Sequence, residues 1–203
     1  VDGSASWLPA AVVTLVLILG WYLSYSAARL DRLHHRVESA SAALDTQLVR
    51  RAAAALEAAA VLDPATGLML AAAASEALDG SGPEALDGSG PEALDGSGPG
   101  VDGVVRGVDE EAQNDLSRAM GNAFGDREYV TGLRDDPLAG DLLDALSTAC
   151  TRVAMARRFH NDAVAAAQRV RRKRVVRWAR LAGRAGMPPM VEIDDSIPAG
   201  LAE

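Results

Sequence analysis

The sequence predicts an all-α protein, a single N-terminal transmembrane helix continuing into an antiparallel four-helix bundle with long helices. Three observations predict it. Alanine supplies 40 of the 203 residues while aromatics make up only 4%; this suits closely packed helices and not a β-sandwich, which draws on Val, Ile and aromatics. No charged residue occurs between Gly3 and Ala28. Two later segments carry apolar residues that step by threes and fours, the pattern of a helix with one buried stripe.

Residues 1–6 read as a short extracytoplasmic N-terminus and 7–27 as the transmembrane helix. The 19 residues from Trp7 to Tyr25 are almost wholly apolar. As a helix they span roughly 28 Å, close to the ~30 Å hydrocarbon core of a bilayer. Trp7 stands at one end and Trp21, Tyr22 and Tyr25 at the other, as an interfacial aromatic belt requires. Pro9 falls in the first turn, where its missing N–H costs little. Arg29, Arg32 and Arg36 follow and no base precedes. The positive-inside rule then puts the N-terminus outside and the C-terminus in the cytoplasm of a single-pass cell-membrane protein. A cleaved signal peptide is the rival reading, but its positive charge would precede the apolar run.

Residues 28–79 hold bundle helices 1 and 2. Leu30, Leu33, Val37, Ala40, Leu44, Leu48, Ala52, Ala55, Leu56 and Ala59 form the first stripe, and neither Gly nor Pro interrupts the chain from Trp21 to Leu62. Asp63-Pro64 is a start signal, an N-cap followed by the one imino acid suited to the first helical position. EALDGSGP then occurs three times in succession, at 76–83, 84–91 and 92–99. Each octad is too polar and too rich in Gly and Pro to offset its ordering entropy, so 80–107 reads as a flexible acidic linker. The recurring Asp-Gly does not make a calcium loop, which needs several oxygen ligands within about a dozen residues. Residues 108–184 hold helices 3 and 4. Asp109, Glu110 and Glu111 open the third. Leu142, Leu146, Ala149, Val153, Ala156, His160, Ala163, Ala167 and Val170 make a heptad-like stripe along the fourth. Residues 185–203 read as an irregular acidic tail.

Charge is divided unevenly. Residues 63–149 hold 18 acids and 4 bases, whereas 150–186 hold 11 bases and one acid, Asp162. A net charge of −8 argues against a nucleic-acid binder. Lysine occurs once, at Lys173, against 19 Arg; with so much Ala and Gly this points to GC-rich coding and weakens each Arg as evidence of guanidinium chemistry. The basic run is still dense enough to need a counter-charge. Arg171, Arg172, Lys173, Arg174 and Arg177 are the candidate contact with an anionic lipid surface. The bland alternative is a solvated face balanced by the acidic middle of the chain.

Signatures of chemistry are scarce. There is no HExxH, GxSxG or Walker loop. The single Cys150 excludes an internal disulfide. His34 and His35 are neighbours and point about 100° apart on a helix, so they cannot ligate one metal together unaided. His160 lies in the apolar stripe and reads as a core histidine. Asp135-Asp136 before Pro137 reads as a helix cap. No cofactor or metal is expected.

Two stretches resemble the LemA family of bacterial membrane-anchored proteins. One is SYSAARLDRLHHRVESASAALDTQLVRR at 24–51, with Arg36-Val37 and a closing Asp45-Thr46-Gln47-Leu48-Val49-Arg50-Arg51. The other is ARRFHNDAV at 156–164. Ser41 stands where the family has Trp, and Phe159-His160 replaces Phe-Tyr. The resemblance implies a divergent member with an N-out anchor and a cytoplasmic antiparallel helical bundle. It supplies no reaction, because the family has no agreed enzymatic activity.

The expectation is a membrane-anchored structural or protein-interaction module. Its partners would be the bilayer and other membrane or membrane-proximal proteins. The alternative is an enzyme or enzyme subunit with a site around His160, Asn161 and Asp162.

Overall fold

The computed structural model describes residues 7–80, 108–172 and 189–202. Every regular element among them is helical. These are α1 (Trp7–Ala58) with a 3-10 turn at Ala59–Val61, α2 (Pro64–Asp79), α3 (Glu110–Phe124), α4 (Arg127–Leu133) and α5 (Pro137–Arg171).

Aspartate starts four of the five helices. The Asp63 carboxylate accepts from Ala65 and Thr66 N–H at 3.2 and 3.1 Å, and the Thr66 side chain together with these backbone bonds holds its pKa below the ordinary range. Asp109 caps α3 through Ala112 N–H, Asp126 caps α4 through Glu128 and Tyr129 N–H, and Asp136 caps α5 through Leu138 N–H. Each supplies an acceptor to amides that have no intrahelical partner. Pro64 and Pro137 take first helical positions, as the sequence predicts. Between α3 and α5 lies a helix the sequence reading does not include, the seven-residue α4.

The chain divides into two compact units. The first joins Val1–Glu38 to Asp162–Pro189. Within it Val37, Ala163, Val164, Ala167 and Val170 are buried; all but Val164 belong to the two predicted stripes. Farther back along α1, Val12, Leu15, Val16, Ile18, Trp21 and Tyr25 are all exposed.

The predicted transmembrane helix at 7–27 is corrected here. Among the described residues no helix is long and apolar enough to cross a membrane. The strongly apolar stretch is Val12–Leu19, eight residues with Thr14 among them, or about 12 Å of helix against a ~30 Å bilayer core. The correction removes the single-pass anchor and, with it, the N-out topology and the cell-membrane location. Residues 1–6 and the linker at 81–107 lie outside the described residues.

The second unit, Ser39–Asn161 with Met190–Glu203, holds the core. Leu44 and Leu48 of α1 share one buried cluster with Val153 of α5. Ala52, Ala55 and Ala58 share another with Leu143, Leu146 and Cys150. Position along one helix thus runs against position along the other, so here α1 and α5 are antiparallel. Leu70, Ala74 and Ala77 of α2 join Leu116 and Met120 of α3 in the larger cluster. Each buried Leu contributes about 1.5–3 kcal/mol; the alanines contribute less area but let the helix axes come close. At the α1–α2 corner a Cβ on Gly67 would stand 2.6 Å from the Ala59 carbonyl oxygen, so only glycine permits that approach. At the far end of α2, a Cβ on Gly80 would lie 3.1 Å from Cβ of Asp109. The two ends of the 81–107 connection therefore meet.

The tail departs most from expectation. Residues 190–202 are irregular, as predicted, but they are not peripheral. Val191, Ile193, Pro198 and Leu201 are buried. Val191 and Ile193 join the cluster of Leu44, Leu48 and Val153, and Leu201 joins that of Phe124, Val130 and Leu146. The tail is a strap across the second unit.

Candidate functional site, a clasp for an extended segment

The strap is held by side chains of α1, α3, α4 and α5 that bond to its backbone, Arg127 of α4 donating to the Ala199 carbonyl at 3.4 Å. Asn161 donates its amide N–H to the Val191 carbonyl and accepts from the Val191 N–H, both at 3.0 Å. One side-chain amide thereby imitates a neighbouring strand at a single residue. On α3, Glu110 Oε1 accepts from Glu192 N–H at 2.9 Å and Asn114 Oδ1 from Asp194 N–H at 2.7 Å. Farther on, Gly200 N–H donates to the Phe124 carbonyl at the end of α3, and Ser147 of α5 donates to the Leu201 carbonyl, each at 2.9 Å. A Cβ on Gly200 would fall 2.5 Å from Val130 Cγ2, so the strap can lie this close only with glycine there.

Arg51 is the centre of the clasp. It projects from α1 on the same face as Leu44, Leu48 and Ala55, and only 1% of it is exposed. One guanidinium nitrogen donates to Gln113 Oε1 at 2.7 Å and to the Gln113 carbonyl at 3.2 Å. The other reaches Ser117 Oγ at 3.2 Å and the Asp194 carbonyl at 3.5 Å. Ser117 Oγ also lies 2.6 Å from the Asp194 carbonyl, so the hydroxyl accepts from Arg51 while donating to the strap. Gln113 in turn donates to the Ala77 carbonyl at 3.3 Å, which ties α2 to the same group. All of these acceptors are neutral oxygens. Burial lowers the Arg51 pKa, and the negative charges of Asp194 and Asp195 oppose that effect. A guanidinium still stays protonated throughout the ordinary pH range.

The acidic side chains of the strap are also placed. Asp195 pairs with Arg157 at 2.8 Å, with both partners largely buried. Asp194 turns back to accept from Ser196 N–H at 2.9 Å. The bonds to Ser196, with the Arg51 charge behind them, hold its carboxyl below the usual carboxylate range. The arrangement reads the backbone of an extended segment, two buried apolar side chains and one carboxylate.

The residues singled out from the sequence go to different places. His160 is buried, Asn161 is engaged with the strap, and Asp162 is exposed; the three do not converge. Two open grooves of about 420 and 430 Å³ lie along α5 in the second unit, and none of the three lines either. Cys150 is buried, and burial raises its thiol pKa. His35 sits 3.2 Å from Glu38 on exposed helix. Among the described residues no group of three or more His, Cys, Asp or Glu could hold a metal. Of the candidate lipid contact, Arg171 ends α5 and Arg172 is exposed; Lys173, Arg174 and Arg177 lie outside the described residues.

Sequence reasoning missed Arg51, Gln113, Asn114, Ser117 and the strap itself. One signal was available. Val191 and Ile193 alternate with Glu192 and Asp194, the period of a half-buried extended segment.

Together these features define an all-helical protein that clasps its own C-terminal segment. No family model, curated protein or solved structure matches the chain.

Proposed function

We propose that this chain is a helical protein-interaction module of the LemA kind, whose working surface is the clasp. The observation that carries the reading is chemical. Arg51, Asn114, Ser117 and Asn161 bond to the main chain of an extended segment, which is how a protein recognises a peptide and not how it transforms a substrate. Arg51, Arg157 and Asn161 fall within the two stretches that resemble the family, 24–51 and 156–164. Residues far apart in sequence thus serve one local task, and this supports the resemblance.

The enzyme reading has less behind it. Both functions of the Asn161 amide are taken by Val191, and His160 and Asp162 differ fully in exposure. The test is affinity capture of the full chain from cells, with each candidate partner then purified and titrated against it. A discrete protein partner binding with saturable affinity, and bound equally by His160→Ala and Asp162→Ala variants, is expected. Turnover of a substrate by the purified chain, abolished by His160→Ala, would replace the module with an enzyme.

A further inference from the structure

The strap is a ligand as much as a part of the fold. It contributes no helix and pairs with no strand. Its contacts are those a bound peptide makes: alternate side chains, Val191 and Ile193, enter an apolar cluster, its amides and carbonyls meet side chains, and Asp195 meets Arg157. The receptor half of these contacts belongs to α1, α3, α4 and α5. Those helices also share a core made of their own residues, with Leu116, Met120, Leu143 and Leu146 fully buried in it. Taking the strap away would uncover Leu44, Leu48 and Val153 and withdraw Leu201 from the larger cluster, leaving the helices' own residues of that cluster in place.

We infer that the clasp is a binding site for an extended acidic peptide with apolar residues at alternate positions, and that it takes this peptide in trans from the C-terminus of a second copy of the chain. The occupant follows from the contacts. The spacing of Asn161, Asn114 and Ser117 is matched to Val191 and Asp194, Arg157 to Asp195, and Gly200 alone fits against Val130 and Phe124. Every copy carries that sequence at its own end. Sixteen residues, 173–188, separate the last described residue of α5 from the strap. Fully extended they would reach about 55 Å, enough to pass a strap to a neighbour. Contacts made in cis and in trans are identical, so exchange is limited only by competition. A strap joined to its own clasp by a short connection is presented at an effective concentration on the order of mM. The intact chain therefore keeps its clasp filled in dilute solution and opens it to a second copy when its own strap is released.

This rests on the interaction-module reading, but its test does not depend on any cellular partner. Two full-length variants are made. One, Val191→Asp with Ile193→Asp, has an intact clasp and a strap that cannot dock. The other, Asn114→Ala with Asn161→Ala, has an intact strap and a weakened clasp. Each alone should be a monomer by light scattering, and mixing should give a one-to-one complex. A fluorescent peptide of residues 190–203 should bind the first variant at least tenfold more tightly than it binds the intact chain. Two folded variants that remain monomers when mixed, or a peptide that binds both proteins equally, would overturn the proposal. Should the first variant fail to fold, the intact chain serves with excess unlabelled peptide. Amide exchange at Val191, Asp194 and Gly200 should rise several-fold as the peptide displaces the strap, and unchanged exchange at millimolar peptide would be equally fatal. Peptide binding without capture of a cellular partner would leave the clasp standing and the wider module unsupported; the reverse result would do the opposite.

Discussion

Arg51 illustrates why a single residue can be decisive and yet invisible in a sequence. It follows Arg50 and sits in a run of alanines, where an arginine is ordinarily a solvated surface charge. Arg50 is exposed and Arg51 is not, because one step along a helix turns the side chain by about 100°. The apolar stripe identified the buried face, but Arg51 shares that face and was not assigned to it. A charge at a core position is expected only where acceptors await it, and those acceptors lie on α3 and the strap, 62 to 143 residues away. Replacing Arg51 with Met keeps the stem and removes the donors. Gln113, Ser117 and the Asp194 carbonyl then lose their partner in a buried site, where each unmet group costs about 1–3 kcal/mol. Chemical denaturation of Arg51→Met should show a loss on the order of 3 kcal/mol. Asp194 supplies a pH dependence. Its folded pKa is lowered, so its contribution is fully present above the unfolded value near 4 and is lost as pH falls through the lower folded value. NMR shifts of Ser196 and Val191 should therefore report strap loosening below about pH 4. Asp194→Asn should remove that step while leaving the neutral-pH spectrum of α1 and α5 unchanged.

At the scale of elements, what was legible was periodic and local. The stripe of α5 appears as burial of Leu146, Ala149, Val153, His160, Ala163, Ala167 and Val170. The Asp-Pro starts of α2 and α5 were readable because a cap involves only the next few residues. The three elements misjudged each turn on something else. The span at 7–27 satisfied a rule about charge but not one about hydropathy. Helix α4 is too short to show a period, and its start at Asp126 was hidden among Gly125, Gly132 and polar neighbours. The strap was dismissed as polar and irregular, because its partners are side chains on four helices that no local pattern announces. Helix α4 depends on its cap more than its longer neighbours do, since seven residues nucleate poorly. Asp126→Ala should cost about 1 kcal/mol. Amide exchange at Glu128 and Tyr129 should increase, with little change in α3 or α5. Uniform loosening of all three helices would show that α4 is not an independent element.

For the molecule as a whole, the fold joins a core of small residues to a closure supplied by its own chain end. The strap touches α1, α3, α4 and α5, so residues 190–202 complete what the earlier helices begin. The first octad gives its opening residues, Glu76 to Asp79, to the end of α2, where Ala77 is buried, and the two ends of the connection that follows already meet at Gly80 and Asp109. Removing residues 84–99 would shorten a connection whose ends are already together. Loop-closure entropy changes by only about 0.6 kcal/mol for each doubling in length. Thermal unfolding of the shortened chain should differ from that of the intact protein by no more than a few degrees.

The meeting of Gly80 with Asp109 also bears on heredity. Identical tandem units are prone to slippage when DNA is copied, gaining or losing one period at a time. In most proteins such an event shifts one half of the fold against the other and is eliminated. Here the gain or loss occurs in a detour that leaves and returns at the same place, so both flanking helices keep their positions whatever the number of units. Octad number is then close to invisible to selection on folding. Sequencing this locus across natural isolates should find one, two, four or more octads in place of three, between flanks that change far more slowly than the count.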